Sequence, residues 1–139
     1  MSVRTGDRSE GKLQVLNQAK ELRKYSITMV KAEKRFPKST RWLYANPIAT
    51  EIRGACTCIR KANSIYVSKE NKRDFKLRHL EQMQAVSHLA ALWDLIEDSY
   101  ESGYISSSQV EHWTELLDKT ERLLRSWISS DLERITNMP

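Results

Sequence analysis

Two cysteines, three histidines and a pair of glutamates are the side chains of this sequence whose types could do chemistry. Cys56 and Cys58 are two residues apart. On a helix that spacing is a turn of about 200°, so the two thiols leave by different faces and can neither bridge each other nor clamp a metal together. They read as small apolar side chains. His79, His88 and His112 make no H-x-x-x-H or E-x-x-H pair, the spacings that put two metal ligands on one helix face. Glu111 and Glu115 are one turn apart on an arc that carries no apolar stripe, which is the pattern of a solvated face. No glycine-rich phosphate loop and no nucleophile elbow occurs. The expectation is a binding protein rather than an enzyme, with no cofactor and no metal.

The basic residues carry more information. In the stretch Pro47 to Val67, Ile48, Ile52, Ala55, Ile59, Ala62 and Tyr66 fall within about 80° of one another at helical spacing. Arg53, Arg60 and Lys61 fall on the opposite side. Small residues, Gly54 and Ala55, let a neighbouring helix come close. This reads as a central helix packed on one side and open to a polyanion on the other. Upstream, Lys20, Arg23, Lys24, Lys31, Lys34 and Arg35 lie within about 120° of one another, interrupted by Leu13, Leu16 and Ile27.

Charge is divided along the chain. Residues 1–78 hold 19 Lys and Arg against 7 Asp and Glu, a net +12, and residues 79–139 hold 4 against 11, a net −7. A nucleic-acid or acidic partner for the first half follows from that asymmetry; the bland account is that opposite halves attract each other or a neighbouring subunit. With only 4 Gly and 3 Pro there is little turn chemistry for a β-protein. No run reaches the roughly 18 apolar residues of a membrane span, and the first residues lack an apolar core, so a cytoplasmic protein without a signal peptide is expected.

Four helices must position these residues. Residues 1–11 read as a disordered arm, 12–135 as an antiparallel four-helix bundle and 136–139 as a frayed end. The first helix is expected over 12–36, ended by Pro37. A break or kink is expected near Asn46 and Pro47, or a fresh helix capped by Asn46, with the second helix running to about Val67. Ser68 or Asn71 caps the third, which reaches about Glu101 with Phe75, Val86, Leu89, Trp93, Ile96 and Tyr100 on its main face. A second apolar set on it, Leu77, His88, Leu92 and Leu95, is expected to be a subunit interface. Gly103 closes that helix, and Ser106 with Gln109 forms a capping box for the fourth. Two positions stand out within this frame: Asn63 at the edge of the apolar seam, and Trp127, whose indole N–H wants an acceptor.

The order of F-P-K at 36–38, the run ending R-K-A-N at Asn63, the long third helix, G-Y-I-S at 103–106 and L-L-R-S-W-I at 123–128 resembles the accessory variability determinant (Avd) family of diversity-generating retroelements. Small bundles encoded in 23S rRNA intervening sequences are related to it. The resemblance covers roughly residues 18–130. Pro47 falls where such proteins usually continue the second helix, and Ser126 where Gly is common.

The resemblance implies a ring-like homopentamer of basic four-helix bundles, without a catalytic site, that associates with the retroelement's reverse transcriptase and template RNA and supports mutagenic cDNA synthesis. Lys20, Arg23, Lys24, Lys31, Lys34, Arg35, Arg53, Arg60 and Lys61 are the expected nucleic-acid contacts, chosen by face and charge. Recognition is expected to be mostly of backbone and shape, because the sequence displays no obvious stacking platform of exposed aromatics. The nucleic-acid partner expected beside template RNA is cDNA or DNA, and the alternatives are a bundle of the ribosomal intervening-sequence type, a protein-interaction module with an acidic partner, and an antitoxin-like or regulatory bundle that binds DNA, against which no helix-turn-helix pattern stands out.

Overall fold

The apolar stripes close into four helices, and the computed structural model describes the backbone of residues 2–138 and the side chains of residue 12 and residues 14–138. The helices are α1 (Ser2–Lys31), α2 (Ala45–Ser64), α3 (Asp74–Glu101) and α4 (Ser107–Thr136). Among the described residues there is no strand. Each helix packs on its two neighbours in a closed square, with α2 against α3 the most extensive interface. Cross-helix bonds fix the antiparallel register. Glu51 meets His88 and Tyr44 meets Asp98 between α2 and α3; Trp113 meets Ser26 and Thr120 meets Gln18 between α4 and α1. The fold class expected from the sequence, an all-α four-helix bundle, is the observed one. The expected arm, residues 1–11, lies outside the residues whose side chains are described, as does Pro139 of the tail.

Leu22, Ile48, Ile52, Ile59, Leu89, Leu92, Ile96, Trp113, Leu117 and Leu124 are wholly buried at the bundle axis. Trp113 donates its indole N–H to Ser26 Oγ at 2.8 Å, so the largest core side chain is also polar-satisfied. The second polar feature of the interior is ionic. Arg78 Nε and Nη2 each donate to a different oxygen of Asp131 at 2.7 Å, Gln82 Nε2 donates to the same carboxylate at 2.9 Å, and Arg78 Nη1 reaches the Ile65 carbonyl at 3.2 Å. The guanidinium also lies 5.1 Å from the Trp127 ring. Trp127 takes this cation on its face, while its buried N–H has no acceptor among the described residues.

Helix boundaries follow local chemistry. α1 stops at Lys31, five residues before the expected end, because Phe36 must be extended ahead of Pro37 and the chain turns at Ala32, whose carbonyl accepts from Arg35 and Phe36 N–H. α2 starts at Ala45 with Pro47 in its first turn, where a missing N–H costs nothing, so the expected kink is absent. Asn46 is not the cap; that position belongs to Tyr44. α2 ends at Ser64, which leaves Tyr66 beyond the helix rather than in its seam. Ser68 and Asn71 cap each other across a short 3₁₀ turn, Lys69–Asn71, ahead of α3. Gly103 (φ +85°) ends α3 and the Ser106–Gln109 capping box opens α4, both where the sequence placed them.

Candidate nucleic-acid interface

α1 and α2 meet along small residues. Ala19 on α1 and Ala55 on α2 are buried, and Cys56 donates its thiol proton to the Ala19 carbonyl at 3.6 Å. Side chains on either side of this close contact form the walls of a groove. Its larger chamber, about 580 Å³, is walled by Arg23 and Ile27 from α1 and by Arg53, Thr57, Arg60 and Lys61 from α2. A smaller chamber of about 230 Å³ continues it past Lys20, Asn17 and Asn63. Arg23, Cys56 and Arg60 line both chambers, so the two adjoin along the helix pair.

The groove is cationic throughout. Five of the nine expected contacts, Lys20, Arg23, Arg53, Arg60 and Lys61, line it, and among the described residues no Asp or Glu does. Among the described residues none of the five is in an ion pair. Glu51, the one carboxylate on α2, is instead held by His88 Nδ1 at 2.8 Å, on the α3 side of that helix. Like charges on low-dielectric walls with no internal counter-ion focus a positive potential into the cleft. Cys56 forms its floor. Burial pushes its thiol pKa up, and the neighbouring Arg23 and Arg60 pull the other way without overcoming it. A raised pKa keeps the thiol protonated, so the floor adds no charge to the groove.

Comparison with protein-family models, with curated proteins and with solved structures finds no match to this chain.

The remaining expected contacts are scattered. Lys24 and Lys31 are exposed on α1 but do not line the groove. Lys34 and Arg35 sit in the turn after α1 rather than on the helix. Arg35 is half-buried and donates Nη1 to the Met29 carbonyl at 3.1 Å, so its guanidinium caps the end of α1. It also offsets part of the rise that burial imposes on the Tyr25 phenol.

The expected interface set on α3 divides as well. Leu92 is wholly buried inside the subunit, where no neighbouring subunit can touch it, so it is withdrawn from that set. His88 is committed to Glu51 and packs flat against Gly54. Leu95 is half-buried against the core. Leu77 is open to solvent, and the exposed apolar face continues from it through Leu80 and Met83. Heptad-like spacing showed two apolar arcs on α3 but not which of them the bundle itself would consume.

Asn63 is half-buried and lines the smaller chamber together with Arg60 and Lys20. Cys56 and Cys58 do leave by different faces: Cys58 lies on the α3 side, 3.8 Å from Gln84 Oε1. No group of three His, Cys, Asp or Glu among the described residues is placed to hold a metal ion. No helix among them is long and apolar enough to cross a membrane. Sequence reasoning missed Trp42 and Tyr66, which stand 68% and 73% exposed. A usable signal was present, since Trp42 falls between Pro37 and Pro47, outside any helical stripe.

Proposed function

We propose that this chain is a non-catalytic accessory protein of a diversity-generating retroelement, binding template RNA through the α1–α2 groove and serving its reverse transcriptase. The observation that carries the RNA-binding part is the groove itself: five cations line its two adjoining chambers with no carboxylate among the described lining residues. Phosphates neutralised there would release counter-ions, so affinity should fall steeply with salt. The order of sequence motifs described above supports the retroelement assignment, and the four-helix architecture is compatible with it.

On this reading the subunits form a homopentameric ring, and the solvent-facing part of α3, Leu77 with Leu80 and Met83, contributes the repeated contact. Five copies would align five grooves and multiply the phosphate contacts. Light scattering on a size-exclusion column tests the assembly: a mass of about 81 kDa, five times the 16.2 kDa subunit, is expected. Co-expression with the cognate polymerase tests the partner, and the two should elute together with bound RNA. A monomer that retains neither polymerase nor RNA would overturn the proposal in favour of a protein-interaction module.

A further inference from the structure

The two most exposed large apolar side chains among the described residues are both aromatic, and they stand just beyond opposite ends of α2. Trp42 lies three residues before Ala45 and Tyr66 two residues after Ser64, so about 30 Å of helix lies between the two loops. The groove runs along α2 in that interval.

Neither ring is exposed because its loop is loose. Phe36 is buried and stacks on Tyr104 at 5.7 Å with 7° between the planes, and Tyr44 packs edge-on to the same ring at 5.1 Å. The Tyr44 hydroxyl is bonded to Asp98 and Ser102, and Asn46 N–H returns to the Arg41 carbonyl at 2.9 Å. The loop is pinned on both sides of Trp42 while the indole stays bare. Tyr66 is held in the same way. The Ile65 carbonyl before it accepts from the buried Arg78, its own carbonyl accepts from Asn71 Nδ2 at 2.7 Å, and Val67 after it is buried. A rigid backbone that presents a bare aromatic ring has already met the ordering cost of binding.

The surroundings decide what the rings meet. Lys34, Lys38 and Arg41 share the Trp42 loop with a single acid, Glu33, which Lys38 approaches at 3.9 Å. Lys69, Lys72 and Arg73 follow Tyr66 with Glu70 as the acid among them. An aromatic face flanked by cations matches an unpaired nucleobase on its phosphate backbone, where stacking and charge neutralisation act together. A duplex hides its base faces and offers nothing to such a ring. Resting on the nucleic-acid reading of the groove, we infer that Trp42 and Tyr66 are base-stacking platforms at the two ends of α2, and that the preferred ligand is single-stranded rather than duplex RNA.

The test uses the full chain, a labelled oligouridine and an RNA duplex of equal length, titrated by fluorescence anisotropy at several salt concentrations. The single strand should bind more tightly than the duplex. Trp42→Ala and Tyr66→Ala should each weaken single-strand binding about ten-fold to a hundred-fold, leave duplex binding unchanged, and keep the salt slope, since no charge is removed. Oligouridine should also quench wild-type tryptophan emission, and Trp42→Phe should lose that quenching while keeping most of the affinity. Of the other three tryptophans, Trp113 and Trp127 are buried and Trp93 is half-buried against the core, so any quenching that survives in Trp42→Phe is assigned to Trp93. Both rings are solvent-facing, so circular dichroism of the variants should match wild type. If both alanine variants bind oligouridine as wild type does, stacking is overturned and the groove reading stands. If they keep RNA but release a co-purifying protein, stacking is overturned and the rings belong to a protein interface. If wild type binds neither RNA, both readings fall.

Discussion

Arg23 of α1 and Arg60 of α2 lie beside the same half-buried thiol, Cys56, and each lines both chambers of the groove. The arrangement puts two fixed cations over a neutral floor and makes the two helices one binding surface.

That floor gives a pH signature. Burial raises the Cys56 pKa above its ordinary value of 9.0, and Cys58 and Tyr25 shift in the same direction, chiefly by burial. A raised acid favours its protonated form in the folded state. Its stabilising contribution is therefore complete below the unfolded pKa and is lost as pH rises through the folded one. The urea midpoint should fall as pH rises past the ordinary thiol value, and Cys56→Ser should flatten part of that fall. Equal slopes for wild type and variant would remove Cys56 as a cause.

Gly54 is required by His88. A Cβ at position 54 would lie 2.7 Å from the imidazole, closer than any real contact, and the ring is tied to Glu51 at 2.8 Å. Gly54→Ala should displace the ring, break that bond and destabilise the bundle by about 1–3 kcal/mol in urea unfolding. Adding His88→Ala should recover part of the loss. An additive double variant would show that α2 and α3 do not depend on this close approach.

The Arg78–Asp131 pair is expensive to break and cheap to replace. Asp131→Asn leaves a buried guanidinium without its counter-charge, and a loss of about 3–5 kcal/mol is expected. The paired change Arg78→Met with Asp131→Leu should cost less than Asp131→Asn, since it removes both desolvation costs together and leaves only the neutral Gln82 amide and the Ile65 carbonyl without their partners. A small effect from Asp131→Asn would mean that water reaches the pair. Duplex RNA affinity should stay at the wild-type value in the paired variant, because neither residue lines the groove, while single-strand affinity should drop as Tyr66 loses the anchor that Arg78 gives the Ile65 carbonyl.

What the sequence revealed was what depends on neighbours along the chain. Gly103 and the Ser106–Gln109 box mark the α3–α4 turn because a left-handed residue and a reciprocal cap are local requirements. The groove was half legible: helical periodicity put Arg53, Arg60 and Lys61 on one face of α2, and Lys20 and Arg23 on one face of α1. Their convergence needs the α1–α2 pairing, which periodicity does not specify. Arg35 was misplaced because α1 ends early, under the pull of a buried Phe36. Leu92 looked like interface because two apolar arcs on one helix do not say which faces inward. Arg78 and Asp131, 53 residues apart, were invisible, since charged side chains carry no sign of burial until their partner is known.

The most direct test of the account is an anisotropy titration of oligouridine with wild type and with the Arg53→Glu/Arg60→Glu variant. Both residues are exposed and unpaired among the described residues, so the variant should keep its helical circular dichroism. Wild type should bind with an affinity that drops steeply with salt, and the variant should retain no RNA. Undiminished binding by a folded variant would contradict the assignment of RNA to this groove.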